Sequence, residues 1–360
     1  MQGVRALFSR GLADSGRLHT GLVLLALAIG LIGVSLAAAG QGAVPLTPAQ
    51  VVAIWLRPLG IELPVDVAQQ QMLVMWEIRL PRVLLAILVG AALAISGAAL
   101  QGLFRNPLAD PALIGVSSGA AVAAAAVIST GWVAGAGLLA RFSVPLAAFA
   151  GGVFTTLLIY RLATVQGRTR VTTMLLAGIA VTALANAGLG LLSYMADDAA
   201  LRAINYWTMG SLGGASWSQL LTVAPLLLAV LLWLPARAQA LNALLLGEAE
   251  AGHLGFSVQR VKLQIIVLVA LAVGAAVSVS GIISFVGLVV PHLLRQLIGP
   301  DHRGLLPGSA LLGGLLLVLA DLLARTWIAP AELPIGVVTA LMGAPFFLWL
   351  LWQQRQSRMF

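Results

Sequence analysis

The sequence contains no cysteine and little charge. The absence of cysteine among its 360 residues excludes disulfides, thiolate metal sites and cysteine nucleophiles. Only 9% of the residues are charged, whereas 60% are hydrophobic, and the mean hydropathy is +1.02. A water-soluble fold would have too little polar surface to cover itself, so the solvent around most of the chain must be lipid.

Apolar runs of membrane-spanning length recur from residue 21 to residue 352. A hydrocarbon core about 30 Å thick needs roughly 20 apolar residues per helix. We therefore predict an all-α polytopic membrane protein, a single transmembrane domain over residues 1–360 with about ten spans. These lie near residues 21–39, 80–103, 111–130, 143–161, 172–195, 217–235, 263–283, 285–298, 305–325 and 335–352.

The twenty basic residues are scattered singly between the apolar runs, which argues against a nucleic-acid partner. If both termini are cytoplasmic, fourteen of the twenty fall on the cytoplasmic side, as the positive-inside rule requires. This pattern predicts a multi-pass membrane protein with both termini, including residues 1–20, in the cytoplasm. The run from Gly21 to Ala39 is too long for a typical signal sequence, and we interpret it as a retained first helix.

Two segments of the sequence match without gaps. Residues 89–97 read VGAALAISG and residues 273–281 read VGAAVSVSG, at an offset of 184 residues. Because they lie on the second and seventh predicted helices, the two halves of the chain would have opposite orientations in the membrane. The alternative is a coincidental match in a chain rich in alanine and glycine.

Six ordered motifs make the sequence more specific. They are IRLPR at 78–82, FRNPLADP at 104–111, LLGE at 245–248, FVGLVVPHLLR at 285–295, DHR at 301–303 and AELPIG at 331–336. With them, the chain from Glu77 to Trp352 resembles the permease subunit of the binding-protein-dependent ABC importers for cobalamin, ferric siderophores and haem, and most of all a bacterial haem importer permease. The resemblance implies the ten-helix fold of the cobalamin importer permeases, with its inverted repeat.

The same resemblance implies a function and a set of partners. The chain would pair with a second copy of itself, two ATP-binding subunits and a periplasmic substrate-binding protein, and would move haem inward by alternating access. Cobalamin or a ferric siderophore is the alternative cargo. Because the sequence has no phosphate-binding glycine-rich loop ending in Lys and Ser or Thr, ATP and Mg²⁺ would be bound by the partner ATPase. We expect this chain to have no catalytic residue, no cofactor and no metal site.

Residues 236–262 form the longest polar stretch between the late helices and are predicted to be cytoplasmic. Short amphipathic pieces separated by glycines are typical of small helices that dock on a partner, or of an ordinary loop. In the resembled family, this stretch matches paired coupling helices that contact the ATPase. The contacts implied here are Leu246, Gly247, Glu248, Glu250, His253, Leu254 and Gly255.

On the outer face, the resemblance assigns Arg79, Arg82 and Arg325 to docking of the binding protein through its glutamates. Arginine suits this role because its guanidinium binds a carboxylate in a bidentate manner. The alternative is interfacial anchoring of arginine at helix ends. Asp321, four residues before Arg325, is predicted to pair with it, and Glu77 to offset part of the positive charge.

The loop predicted after the fifth helix contains Arg202, Tyr206 and Met209. This stretch also matches the resembled family, which implies that it lies near the outer mouth of the pathway. A cation beside an aromatic ring and a thioether could bind a planar ligand that carries carboxylates, such as haem. The alternative is an interfacial aromatic belt. The four histidines, His19, His253, His292 and His302, map to the cytoplasmic half, so we expect no axial ligation of haem during entry.

Two rival classes remain open. An ion-coupled secondary transporter would place carboxylates near the bilayer midplane, and Asp321 is the one carboxylate well inside an apolar run. A membrane enzyme would need a nucleophile, a base or a metal cluster, against which the separated histidines argue.

Overall fold

The structure, a computed structural model, describes residues 2–42, 44, 46–131 and 138–357. Within these ranges it contains fifteen α-helices: α1 Gln2–Gly40, α2 Pro48–Leu56, α3 Gln69–Leu73, α4 Leu80–Phe104, α5 Val116–Ser129, α6 Leu138–Ala163, α7 Val171–Met195, α8 Asp198–Met209, α9 Trp217–Trp233, α10 Ala238–Leu246, α11 Glu248–His253, α12 Val258–Ser280, α13 Val286–Ile298, α14 His302–Thr326 and α15 Ile335–Ser357. An antiparallel hairpin of β1 Thr164–Val165 and β2 Arg168–Thr169 lies between α6 and α7. A π-helical turn, Val74–Arg79, joins α3 to α4.

Ten helical segments of the described part correspond to the ten predicted spans. Seven are long and apolar enough to cross a membrane: Leu18–Gly40, Gln69–Phe104, Arg141–Ala163, Val171–Met195, Trp217–Leu246, Val258–Ser280 and His302–Thr326. Three apolar helices are shorter: Val116–Ser129, Val286–Ile298 and Ile335–Trp349. The predicted all-α polytopic membrane fold is confirmed, and short spans such as α13 depend on their neighbours to cross a full bilayer.

Two regions are more helical than the sequence predicts. The first helix begins at Gln2 and not near residue 21, because residues 2–20 contain no proline and include several strong helix formers. The segment after α7 is the helix α8 and not a loop. Asp197 caps it by accepting a hydrogen bond from the N–H of Ala200 at 2.7 Å, and Gly210 ends it.

The two matching segments, 89–97 and 273–281, occupy the centre of the bundle. The first lies within α4 and is buried throughout, and the second is buried except for partial exposure of Val279. α4 ends beside His302, the first residue of α14, whereas α12 begins at that same end, next to α11. The two helices pack against each other in opposite directions, as the predicted inverted repeat requires.

Two groups of helices touch at glycines. A Cβ atom on Gly90 would lie 2.3 Å from the carbonyl oxygen of Gly313 in α14, and one on Gly97 would lie 1.8 Å from that of Gly287 in α13. In the other group, a Cβ atom on Gly119 of α5 would lie 2.5 Å from a carbonyl oxygen of α6. Small residues allow this approach, and in lipid such packing replaces the hydrophobic drive between helices.

The bundle has two polar ends. The α10–α11 end carries α10, α11, the β-hairpin and the first residues of α12 and α14. The arginine end carries α2, α3 and α8, together with the last residues of α1 and α14. Of the basic residues predicted to be cytoplasmic, Arg105, Arg168 and Lys262 lie at the first end, and Arg358 lies outside the described residues. The second end contains Arg79, Arg82 and Arg325.

Candidate functional site

Three arginines meet at one end of the bundle, and we call them the arginine cluster: Arg79, Arg82 and Arg325. Arg79 and Arg82 are 4% and 8% exposed, and the side chain of Arg325 is 8% exposed. The sequence predicted these residues at an outer face, and the structure brings them together. It also buries them, which the sequence did not predict.

The turn before α4 positions the first two arginines. Pro81 has no N–H to donate to the preceding turn, and its ring crowds the carbonyl group four residues earlier. The chain widens here into the π turn Val74–Arg79, in which the N–H of Leu80 bonds to the carbonyl oxygen of Met75. Arg79 and Arg82 therefore both point into the space between α1 and α14.

Arg82 is held by two carboxylates from distant parts of the chain. Its Nη2 lies 2.9 Å from Oδ1 of Asp321 in α14. Its two Nη atoms also donate to the two carboxylate oxygens of Glu332, at 3.1 and 2.9 Å. Glu332 lies in the connection between α14 and α15, and its side chain is half-exposed. A bidentate pair of this kind fixes orientation as well as charge.

The other two arginines have different partners. The Nε of Arg325 lies 3.1 Å from Oδ2 of Asp321, which confirms the predicted pair within α14. Arg79 donates to the backbone carbonyl oxygens of Ala39, Gly40 and Val44, with no carboxylate among these partners. Together with its two carboxylate partners, Asp321 and Glu332, the cluster has a formal net charge of +1.

A cavity of about 820 Å³ lies over the cluster, lined in part by Arg79, Arg82, Arg325 and Glu332. The cluster therefore borders a space large enough for side chains of another molecule. Glu77, which the sequence predicts to offset the arginines, is exposed and forms none of the ion pairs in the described part of the chain.

The three predicted pathway residues share one face of α8. Arg202, Tyr206 and Met209 follow the i, i+4, i+7 spacing of a helix face, and all three are exposed. Tyr206 also lines a cavity of about 350 Å³ together with Arg141 and Trp207. Its hydroxyl lies 2.8 Å from that of Ser211, which fixes the position of the ring. The face of α8 offers a cation, an aromatic ring and a thioether in one row.

The predicted coupling segment consists of two short helices, α10 and α11. Gly247 separates them with φ 136°, a backbone conformation that side chains rarely adopt. Leu246 and Leu254 are 68% and 61% exposed, and Glu250 and His253 are also exposed. The exposed residues of this segment thus combine two apolar side chains with ionisable groups, as a docking surface requires. Not every glycine of the segment separates two helical pieces, because Gly252 lies within α11.

Hydrogen bonds tie α10 to the start of α14. The Asn242 side-chain oxygen lies 2.8 Å from Nδ1 of His302, and its amide nitrogen donates to Oδ1 of Asp301 at 2.6 Å. Partial burial alone would raise the pKa of Asp301, but hydrogen bonds from the N–H of Arg303 and from Asn242 lower that pKa overall. Asp301 therefore stays ionised at neutral pH and holds α10 in place.

One predicted contact residue of the segment has an internal partner. The carboxylate of Glu248 lies 2.7 Å from the ammonium group of Lys262 in α12, which is buried. Sequence reasoning did not assign Lys262 or Glu332. The only signal for Glu332 was its place in the AELPIG motif, and the only signal for Lys262 was that it is the one lysine among twenty basic residues.

The most exposed long helix is α7. Only 6% of its most apolar 18-residue window is buried, against 83% for the segment that contains α4. Large apolar side chains such as Leu184 and Tyr194 are exposed along it, and so is the polar Asn186 near its middle. An exposed amide at that depth is unfavourable against lipid and suits a subunit interface or a polar pathway.

Among the described residues, no group of three or more His, Asp or Glu side chains lies close enough to hold a metal ion. The exposed features of the described chain are the arginine cluster with its cavity, the α8 face, the α10–α11 segment and the surface of α7. All of them suit binding to other molecules.

Comparison with known proteins gives one family for nearly the whole chain. The model of the FecCD transport family matches residues 24–353. The chain is 50% identical over 288 residues to the hemin transport system permease protein HmuU of Yersinia pestis, covering 79% of this chain and 86% of that protein. It is 43% identical over 307 residues to the vitamin B12 import system permease protein BtuC of Vibrio cholerae, covering 84% and 88%.

A solved structure is similar over most of its length. Described as an inward-facing conformation of a metal-chelate type ABC transporter, it superposes with a TM-score of 0.81 at 32% sequence identity. The match covers 92% of this chain and 99% of the solved one. Sequence and fold comparisons therefore agree.

Proposed function

The chain belongs to the FecCD transport family, and on that premise we propose that it is the permease subunit of an ATP-driven importer that carries haem from the periplasm to the cytoplasm. Haem is supported by the 50% identity to the hemin permease, against 43–45% for the vitamin B12 and cobalamin permeases. The α8 face also supports it, because Arg202 and Tyr206 suit a planar ligand with carboxylates. Cobalamin is the second candidate cargo.

Uptake into liposomes tests this proposal. The permease and its cognate ATPase would be reconstituted with ATP on the ATPase side, and the cognate binding protein would be offered with haem, cobalamin or a ferric siderophore. We expect haem to accumulate only when ATP is present. ATP-dependent uptake of another ligand would support an ATP-driven importer and reject haem as its cargo. Haem uptake that needs only an ion gradient would instead support a secondary transporter.

A homodimer is supported by the surface of α7. Its exposed apolar residues and Asn186 suit contact with a second copy that encloses a pathway, and α15 has exposed Leu341 and Trp349. In this arrangement the α10–α11 end faces the cytoplasm, where the two ATPase subunits would dock on Leu246, Gly247, Glu248, Glu250, His253, Leu254 and Gly255. Both chain termini and residues 236–262 would then be cytoplasmic, in the inner membrane.

The arginine cluster is the proposed docking site for the binding protein. Its net charge of +1 leaves one positive charge for a carboxylate of a partner, and the 820 Å³ cavity gives that carboxylate access. Because the three arginines are buried, docking would involve exchange of an internal carboxylate for an external one. Glu332 is the candidate for exchange, since its side chain is half-exposed and the side chain of Asp321 is buried.

Replacing Glu332 by Gln should tighten binding of the binding protein by about tenfold, a difference of roughly 1.4 kcal/mol. The change raises the net charge of the cluster to +2 and frees the outward edge of Arg82 for a partner carboxylate. The measurement is the Kd for the immobilised permease at low and at high salt.

Glu77→Gln is the matched control for this experiment. It makes the same change of charge near the same end, but Glu77 has no partner in the cluster. Unchanged or weaker binding in Glu332→Gln would show that the cluster serves the fold and not docking.

A further inference from the structure

A single buried ammonium group joins three elements at the α10–α11 end. Lys262, in the first turns of α12, is 1% exposed. Its Nζ donates to Oε1 of Glu248, the first residue of α11, at 2.7 Å. It also donates to the backbone carbonyl oxygen of Thr169, the last residue of β2, at 2.8 Å.

Packing alone does not require a charge at this position. A buried ammonium group is costly to desolvate, and an apolar side chain of similar volume is often equally stable in such a site. What lysine adds is a compact charge with three donors, which can bond to two separate segments at once. The geometry therefore indicates a connection between segments.

The connection has no parallel route through direct hydrogen bonds. Among the described residues, none joins α11 to the β-hairpin, whereas Lys262 bonds to both. The side chain of Gln259, also in α12, accepts a bond from the N–H of Thr169 at 3.0 Å and holds the hairpin against α12. Movement of α11 relative to the hairpin would therefore act on the two bonds of Lys262.

The hairpin lies directly before α7. Its two strands are held by backbone pairing and by the hydroxyl groups of Thr164 and Thr169, which lie 2.9 Å apart. The N–H of Arg170 bonds to the carbonyl oxygen of Ala163 at the end of α6, and α7 begins at the next residue. The hairpin is thus short and closed by hydrogen bonds at both strands, and it leads directly into α7.

We propose that Lys262 is a positioning residue of the transport cycle, which transmits displacement of the α10–α11 segment to the β-hairpin and so to the start of α7. The proposal rests on the proposed function, because it requires a partner ATPase that moves α10 and α11. It assigns Glu248 to this link and not primarily to the ATPase surface. Nucleotide-driven movement would reach the exposed helix α7 through two hydrogen bonds of one side chain.

The absence of cysteine allows a site-specific reporter of this movement. Thr172 is exposed in the first turn of α7, and Thr172→Cys can carry a bimane fluorophore as the only thiol of the chain. The permease would be reconstituted with its cognate ATPase and binding protein. Three quantities would be measured on each sample: ATP hydrolysis, haem uptake, and the change in bimane emission on adding ATP.

In the Lys262→Met background, the ATP-dependent emission change and uptake should both fall by about fivefold or more, as loss of a coupling contact predicts. ATP hydrolysis and co-purification with the ATPase should persist. Arg260→Met is the matched control, because Arg260 is exposed on the same helix and bonds to neither segment. Glu248→Gln removes the charge of the partner carboxylate and keeps its shape, so the emission change and uptake should fall by less than in Lys262→Met. It is the second test variant if Lys262→Met does not fold.

Three results would overturn the proposal, and they are distinguishable. The first is a full emission change and full uptake in both Lys262→Met and Glu248→Gln, equal to those of the parent Thr172→Cys protein. This result would show that movement reaches α7 by another route. A loss of hydrolysis and of co-purification would assign Lys262 a merely structural role. Failure of the parent Thr172→Cys protein to take up any ligand with ATP would overturn the proposed function itself, and this link with it.

Discussion

Replacing Asp321 by Asn should lower the free energy of unfolding of the bundle by about 3–5 kcal/mol, the usual cost of breaking a buried charge pair. The carboxylate is 1% exposed and contacts two guanidinium groups, Arg82 at 2.9 Å and Arg325 at 3.1 Å. Without it, Arg325 would lose its carboxylate partner and Arg82 would keep only Glu332. The amide of Asn keeps the volume of the side chain, so the loss reports charge and not packing.

Thermal unfolding of the detergent-solubilised protein, followed by tryptophan fluorescence, measures this effect. For a chain of this size we expect the Tm to fall by roughly 5 °C or more. Glu332→Gln is the control, because a half-exposed pair contributes only about 0–1 kcal/mol. A Tm for Asp321→Asn equal to that of Glu332→Gln would mean that the three buried arginines do not depend on Asp321.

Replacing both Leu246 and Leu254 by Asp should abolish ATP-dependent uptake. The two side chains are among the most exposed leucines of the α10–α11 end, and we propose that they are buried against the ATPase. Loss of two buried leucines costs about 3–6 kcal/mol. That loss corresponds to at least a 100-fold weaker affinity for the ATPase.

Co-purification of the tagged ATPase and ATP-dependent uptake into liposomes are the two measurements. Leu297→Asp is the control, because Leu297 is 57% exposed at the same end but lies in α13, outside the segment. Undiminished co-purification of the double variant would remove α10 and α11 from the proposed ATPase surface. Loss of binding in Leu297→Asp as well would indicate a general effect of added charge.

The membrane spans could be predicted from the sequence because hydropathy acts locally. Each span is an apolar run whose backbone bonds are satisfied within the helix, so its presence does not depend on the rest of the fold. The helix α8 was not predicted, because its short sequence mixes polar and apolar residues. Composition alone does not distinguish such a segment from a loop. The inverted relation of α4 and α12 was visible because the repeat is itself a sequence pattern.

The partners within the candidate sites were harder to predict, because they are long-range contacts. Asp321 and Arg325 are four residues apart on one helix, and their pairing followed from helical geometry. Glu332 is separated from Arg82 by 250 residues, and no local pattern connects them. Lys262 had the appearance of an ordinary cytoplasmic lysine, because burial by α11 and the hairpin is a tertiary effect.

The glycine contacts limit how this bundle can change shape. Where α4 meets α13 and α14, and where α5 meets α6, only a hydrogen atom fits between the backbones. Ala94, Gln101 and Ala123 lie one turn further along on the same helix faces, so sliding by one turn, about 5.4 Å, would bring a side chain into that space. These contacts therefore oppose shear within each group. α12 packs on both α4 and α6, and so lies between the two glycine-packed groups. We therefore expect a change of shape in this bundle to move each group as a unit, with the displacement taken up at the contacts of α12.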